Sequence, residues 1–173
     1  VQMDAPRGRT LSWLGAVDAD LVGLQEVDAA FMMAVGALDA RWPHRVARPR
    51  EDFMGLALLS RWPIEAHGAL AAGPDPIDAV LWARVRAPSG PLDVVVAHPL
   101  PPAGAAMWAQ RNRVIAGLAA KLDQLGPRVV VAGDFNAAPW SAALAPLRDA
   151  GLVHGRVGRG HQASWPAGWP MLG

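Results

Sequence analysis

The sequence has no cysteine, which removes disulfides, thiolate zinc sites and cysteine nucleophiles from consideration. The same absence leaves oxidising and reducing compartments equally open. No apolar run approaches the roughly 20 residues of a membrane span, and the first residues carry no signal-peptide pattern. Excess charge of one sign is lacking too. A net charge of +1 gives no footing to nucleic-acid binding through bulk electrostatics, so any phosphate preference must come from local placement. Lysine is scarce beside abundant Ala, Gly, Pro and Arg, which reads as a bias of base composition. What remains is a 173-residue chain, 52% hydrophobic and 18% charged, long enough for one domain with a real core and too short for two comfortable ones.

The most informative stretch is Val129-Val130-Val131-Ala132-Gly133-Asp134-Phe135-Asn136, followed by Ala137-Ala138-Pro139-Trp140-Ser141. A β-branched run that stops in Gly, an acid and an amide reads as a buried strand delivering polar side chains at its carboxyl end. Open α/β sheets keep their chemistry there. Strand alternation points Asp134 and Asn136 to one side and Phe135 to the other. Gly133 fits close approach of a ligand or of another backbone. The plainer reading of the same residues is a strand followed by an Asx turn.

Two more apolar runs end in the same manner. Asp20-Leu21-Val22-Gly23-Leu24-Gln25-Glu26-Val27 places Leu24 and Glu26 on one face, with Glu26 at the strand end. Leu92-Asp93-Val94-Val95-Val96-Ala97-His98 ends in a histidine, and Pro99-Leu100-Pro101-Pro102 follows as a rigid loop. Each polar residue has an ordinary reading by itself: a solvated strand-end charge for Glu26, a satisfied structural or surface residue for His98. Three runs ending alike favour a shared site.

Between these runs the pattern predicts a short helix from an N-cap at Thr10 to about Asp18, and a helix over 29–41 capped by Asp28 and stopped by Trp42-Pro43. A strand from His44 runs into a loop with Arg45, Arg48 and Arg50, which reads as a solvated face before it reads as a phosphate guide. Strands are expected over 56–59 and from Ile64, a Gly/Pro/Ala loop over 68–76, and a strand over 79–87 turned at Ser89-Gly90. The longest helix spans 104–124, with Met107, Arg111, Val114, Leu118, Leu122 and Leu125 on one stripe. Arg111 is the odd member, and either snorkels to solvent or points at the site rim. A short helix over 142–150 is limited by Pro146 and closed by Gly151. The last residues, with His161, Trp165 and Trp169, show no metal-site spacing and read as packing aromatics in loops.

Gly133-Asp134-Phe135-Asn136-x-x-Pro139-x-Ser141 resembles the signature of the endonuclease/exonuclease/phosphatase family, the deoxyribonuclease I-like metal-dependent phosphoesterases. Gly55-Leu56-Ala57-Leu58-Leu59-Ser60-Arg61-Trp62-Pro63-Ile64 resembles the segment that the family carries between its glutamate and histidine motifs. The resemblance implies an α/β (α+β) fold: two packed mixed or antiparallel sheets flanked by helices, a four-layer α/β sandwich in one domain. It implies Glu26 as metal ligand, Mg²⁺ or Mn²⁺ as cofactor, and His98, Asp134 and Asn136 as catalytic residues. In that picture His98 contacts a non-bridging phosphate oxygen, while Asp134 and Asn136 align the attacking water and the phosphate. Arg111 and Ser141 are further candidates for substrate binding.

The resemblance covers about 1–140 by motif order. The family's first strand, with an Asn near the metal, is expected just before Val1-Gln2, and the family's Asp-His strands near the carboxyl end find no Asp-His pair here. The chain therefore reads as a fragment of such a domain, with little activity by itself and an active parent. The alternative is a family-like scaffold that only binds a partner. Nucleic acid, nucleotide and lipid or inositol phosphates all stay open as substrates, no protein partner is marked, and a monomer is expected. Some bacterial members carry membrane helices upstream, so a cytoplasmic and a membrane-tethered parent are both open.

Overall fold

The computed structural model describes residues 7–38 and 40–158, the side chains of Arg7 and Ala79 excepted. The expectations placed on Val1, Gln2, His161, Trp165 and Trp169 lie outside the described residues. Among those described, no helix is long and apolar enough to cross a membrane.

Helix α1 (Arg7–Ala16) leads into strand β1 (Leu21–Gln25), α2 (Ala29–Val35), β2 (His44–Arg48) and β3 (Leu56–Ser60). The second half runs through β4 (Ile64–Ala71), β5 (Ala79–Ala87), β6 (Gly90–Ala97), α3 (Ala105–Ala119), β7 (Val129–Gly133) and α4 (Ala145–Asp149). The first sheet is antiparallel in the order β1-β3-β2, and the second has the order β4-β5-β6-β7. Within it β6 and β7 run parallel, which requires the long crossover that α3 supplies.

Strand alternation sorts the apolar side chains into three packed layers. Val22 and Leu24 of β1 and Ala57 and Leu59 of β3 turn outward to meet Leu14 of α1 and Phe31 and Val35 of α2. Leu56 and Leu58, the alternate residues of β3, meet Leu81, Ala83 and Val85 of β5 and Val94 and Val96 of β6 between the sheets. Val80, Val95 and Ala97 face the other way, onto Val114, Ile115 and Leu118 of α3 and Leu147 of α4. The result is helices, sheet, sheet, helices, the four-layer α/β sandwich expected from the motifs. β3 lies in the middle and is buried along its whole length.

Element boundaries differ from the pattern reading where long-range pairing outweighs local preference. α1 begins at Arg7, so Thr10 sits inside it and not at its cap. Asp28 caps α2 as expected, accepting the Phe31 N–H at 2.7 Å. The α-helix nevertheless stops at Val35, and the chain continues as a 3-10 turn over Gly36–Leu38, where glycine is a poor helix former. β4 runs on through Gly68 to Ala71 because each residue is registered against β5, Gly68 opposite Trp82 and Ala71 opposite Ala79. α3 is shorter than its apolar stripe, ending at Ala119 before a 3-10 turn at Leu122–Gln124.

Asp93 secures the outer face of the second sheet. It is buried and accepts hydrogen bonds from Arg84 Nε and Nη2 at 2.9 and 2.7 Å, from Trp82 Nε1 at 3.2 Å, and from the Gly126 N–H. Burial by itself raises this carboxyl's pKa, but the Arg84 guanidinium, the Gly126 amide and the Trp82 indole outweigh it and hold the group below its usual range. The folded chain thus binds this proton more weakly than the unfolded chain. Its stabilisation is complete above the unfolded value, near about pH 4, and is lost as pH falls through the lower folded value. Asp93→Asn sets an amide N–H against the Gly126 N–H and is expected to cost about 1–3 kcal/mol at neutral pH, moderated by the solvent access of Arg84. Urea midpoints between pH 6 and pH 3 check it: the variant's acid dependence should be flatter than that of the parent.

Candidate functional site

The site lies where strands of both sheets end. β1 stops at Gln25, and Glu26 takes φ 57°, a left-handed conformation uncommon outside glycine. The turn is held because a second segment is stitched to it: Val27 N–H donates to the Gly55 carbonyl at 3.2 Å, and Arg50 N–H to the Val27 carbonyl at 3.0 Å. Gly55 has no Cβ, and any Cβ there would overlap the Val27 carbonyl, so the two backbones can meet. Glu26 consequently leaves the strand alternation and does not share a face with Leu24 as the pattern suggested. Its side chain is a quarter exposed.

The stitched segment also supplies the carbonyl of Phe53. His98, just past the end of β6 and 7% exposed, places Nδ1 3.2 Å from that oxygen. A carbonyl only accepts, so Nδ1 carries the proton and Nε2 is the nitrogen left for chemistry. Nε2 stands 3.9 Å from Glu26 Oε1, too far for a hydrogen bond and close enough for one ligand to touch both.

The end of β7 is arranged just as tightly. Gly133, at φ 145°, lies against the Ala97 carbonyl of β6, which a Cβ would overlap. Of the two readings of this glycine, close approach of another backbone is the one seen. Asp134 Oδ1 accepts the Asn136 N–H at 2.8 Å, so the Asx turn is present too. Asn136 has φ 48°, which ends the simple alternation that put Asp134 and Asn136 on one side. Its amide Nδ2 donates to the Pro99 carbonyl at 3.0 Å, tying this turn to the residue after His98. Arg111 is buried and donates from Nη1 to the Asn136 carbonyl at 2.8 Å, which settles its direction toward the site rim and not toward solvent.

Glu26 and His98 are therefore neighbours, Asn136 is bound beside His98, and Asp134 joins them through the backbone of Asn136. Ser141 is placed differently: its hydroxyl accepts the Ala143 N–H at 3.2 Å and caps the 3-10 turn that precedes α4. A groove of about 650 Å³ runs along β7, lined by Gln25, Asp134, Phe135, Leu147, His154 and Arg156 among others; Asp134 reaches it, whereas Glu26, His98 and Asn136 do not line it. The Phe53 carbonyl was missed because a backbone acceptor leaves no mark in sequence. Gln110, discussed below, was also missed, although a buried amide beside Arg111 on an apolar stripe is a signal.

Gly133→Ala is expected to cost about 1–3 kcal/mol, because alanine rarely takes this φ and its Cβ would push β7 off Ala97. Urea unfolding measures the loss, which would be near zero if the strand end could relax.

Two packed sheets between helical layers, with polar residues converging at one end, define a deoxyribonuclease I-like fold. The chain matches the model of the Endonuclease/Exonuclease/phosphatase family over residues 1–172 and belongs to that family. It is similar in structure to sphingomyelinase C from Streptomyces griseocarneus, at 24% identity and a TM-score of 0.66, over 84% of this chain and 62% of that one. A humanized D. rerio TDP2 aligns at 16% identity and a TM-score of 0.65, over 86% of this chain and 64% of that one. A mutant beta toxin from Staphylococcus aureus with bound magnesium ions aligns at 12% identity and a TM-score of 0.64, over 83% and 62%. The chain thus spans under two thirds of the length of each. No curated protein sequence matches it.

Proposed function

We propose that this chain carries the core of a divalent-metal-dependent phosphoesterase site that hydrolyses a phosphate ester by in-line attack of water. The observation that carries this reading is the 3.9 Å approach of Glu26 Oε1 to His98 Nε2 across the ends of two different sheets.

The residues fit a hard cation. Among the described residues no group of three or more His, Asp or Glu forms a closed metal cage. Mg²⁺ asks for less, since it commonly takes one or two carboxylates and keeps its remaining positions for water and substrate phosphate. Glu26 would hold Mg²⁺ or Mn²⁺, which when bound withdraws charge from the phosphoryl group. His98 has its Nδ1 proton held by the Phe53 carbonyl, which leaves Nε2 as the ring nitrogen that meets a phosphate oxygen beside Glu26. Asp134 is an exposed residue that keeps Oδ1 on the Asn136 N–H, which leaves Oδ2 to orient the attacking water. Asn136 fixes the Pro99 carbonyl and with it the loop that carries His98.

Hydrolysis of bis(p-nitrophenyl)phosphate, with Mg²⁺ or Mn²⁺ and with EDTA, tests the reading. Metal-dependent turnover that Glu26→Gln abolishes is the expected result. Turnover that survives Glu26→Gln and EDTA would overturn it. Metal binding by thermal shift with no turnover, from this chain and from any longer form that contains it, would favour a binding scaffold.

A further inference from the structure

Asp78 is a carboxylate that the proposed chemistry does not use, and it is buried against the middle of α3. Its Oδ1 accepts Gln110 Nε2 at 2.7 Å, and Arg113 Nε approaches Oδ2 at 3.3 Å. Gln110 is buried as well, and its Oε1 accepts the Leu100 N–H at 3.1 Å. The amide cannot be flipped. A carboxylate only accepts and a backbone N–H only donates, so nitrogen must face Asp78 and oxygen must face Leu100.

The Leu100 N–H belongs to the same planar peptide as the Pro99 carbonyl, and that carbonyl accepts Asn136 Nδ2 at 3.0 Å. One peptide group, two residues beyond His98, is therefore gripped on both sides. The hydrogen bonds run in one direction, from Asn136 through the 99–100 peptide and Gln110 to the charge on Asp78, so each amide is polarised by the next. The residue after Gln110 closes the frame, since Arg111 holds the Asn136 carbonyl. Consecutive residues of α3 thus hold the loops after β6 and β7 in one piece.

We propose that Gln110, anchored by Asp78, is a positioning residue that sets Asn136 and the His98 loop for the reaction. This deepens the reading given under Proposed function and rests on it for its catalytic consequence. Gln110 itself touches no reacting atom.

The test uses the full chain and two independent readouts. The first is nuclear magnetic resonance of the His98 ring nitrogens and the Asn136 side-chain amide. The parent should show the Nδ1–H tautomer and a protected Asn136 amide. Gln110→Met, similar in volume, should lose protection of the Asn136 amide while the remaining spectrum stays dispersed. Gln110→Glu sets carboxylate against carboxylate and should do worse. Combining it with Asp78→Asn restores a donor facing an acceptor at each contact and should recover the parent signals, an outcome a general packing defect does not produce. The second readout is turnover: Gln110→Met should lower kcat by about 10- to 100-fold with KM nearly unchanged.

A protected Asn136 amide in Gln110→Met, or no recovery in the double variant, overturns the proposal. If Gln110→Met fails to fold, the comparison of Gln110→Glu with the double variant decides. If the parent shows no hydrolysis, the phosphoesterase reading falls by itself, and the resonance measurements still decide whether Gln110 sets the two loops.

Discussion

His98→Ala is expected to lower kcat for phosphodiester hydrolysis by about 10²- to 10⁴-fold, the usual range for a positioned proton donor or acceptor. Stability should change by about 1–3 kcal/mol, the cost of leaving the Phe53 carbonyl without the donor that the buried ring supplies. The proton arrangement sharpens the expectation. With Nδ1–H held by the Phe53 carbonyl, Nε2 is the ring nitrogen that faces the ligand, so a side-chain amide reaching the same place should recover part of the rate. His98→Gln keeps a neutral donor and should fall between the parent and His98→Ala. Steady-state kinetics on the three proteins decide it. A kcat for His98→Ala close to that of the parent would remove His98 from the reaction.

Asn136 is expected to produce the second large effect, and three substitutions separate its two roles. Asn136→Asp places an acceptor against the Pro99 carbonyl and a charge beside Asp134, and should reduce kcat by about 10²-fold or more. Asn136→Gly keeps the φ of 48° and loses only the amide, so it should lower activity with little change in stability. Asn136→Ala loses the amide and is strained as well, adding about 1–2 kcal/mol of destabilisation. Urea midpoints beside kcat values distinguish them. Equal stability of the glycine and alanine variants would show that the turn relaxes and that the positive φ is not demanded by the fold.

The layers were legible because alternation within each strand continues until the strand ends. Leu56 and Leu58 against Ala57 and Leu59 mark two buried faces on β3, and the structure uses both. The ends of those runs were legible for the same reason: Glu26, His98 and Asp134 are the residues that immediately follow β1, β6 and β7. Where each of them points was not. Glu26 and Asn136 both take positive φ, so the period of two stops one residue before it was needed. The Asx turn and the converging site, weighed as alternatives from sequence, are the same object, because the turn is what brings the Asn136 amide to Pro99. β4 ran beyond its predicted end because pairing with β5 is worth more than the local weakness of Gly68. The Gln110 contact was hidden by distance along the chain, its anchor lying 32 residues earlier.

Glu26 and the Phe53 carbonyl ride on one sheet, while His98 and Asn136 ride on the other. The apolar filling between the sheets is not directional, since dispersion contacts of Leu58 with its neighbours across the gap tolerate sliding as hydrogen-bond ladders do not, and of the site's own contacts the single His98–Phe53 hydrogen bond resists that sliding. A slip of about 1 Å is enough to misplace groups for reaction while leaving every ladder intact. Turnover by the proposed site should accordingly vanish at lower denaturant than the far-ultraviolet signal of the strands, making activity a gauge of how firmly two slabs are seated on each other.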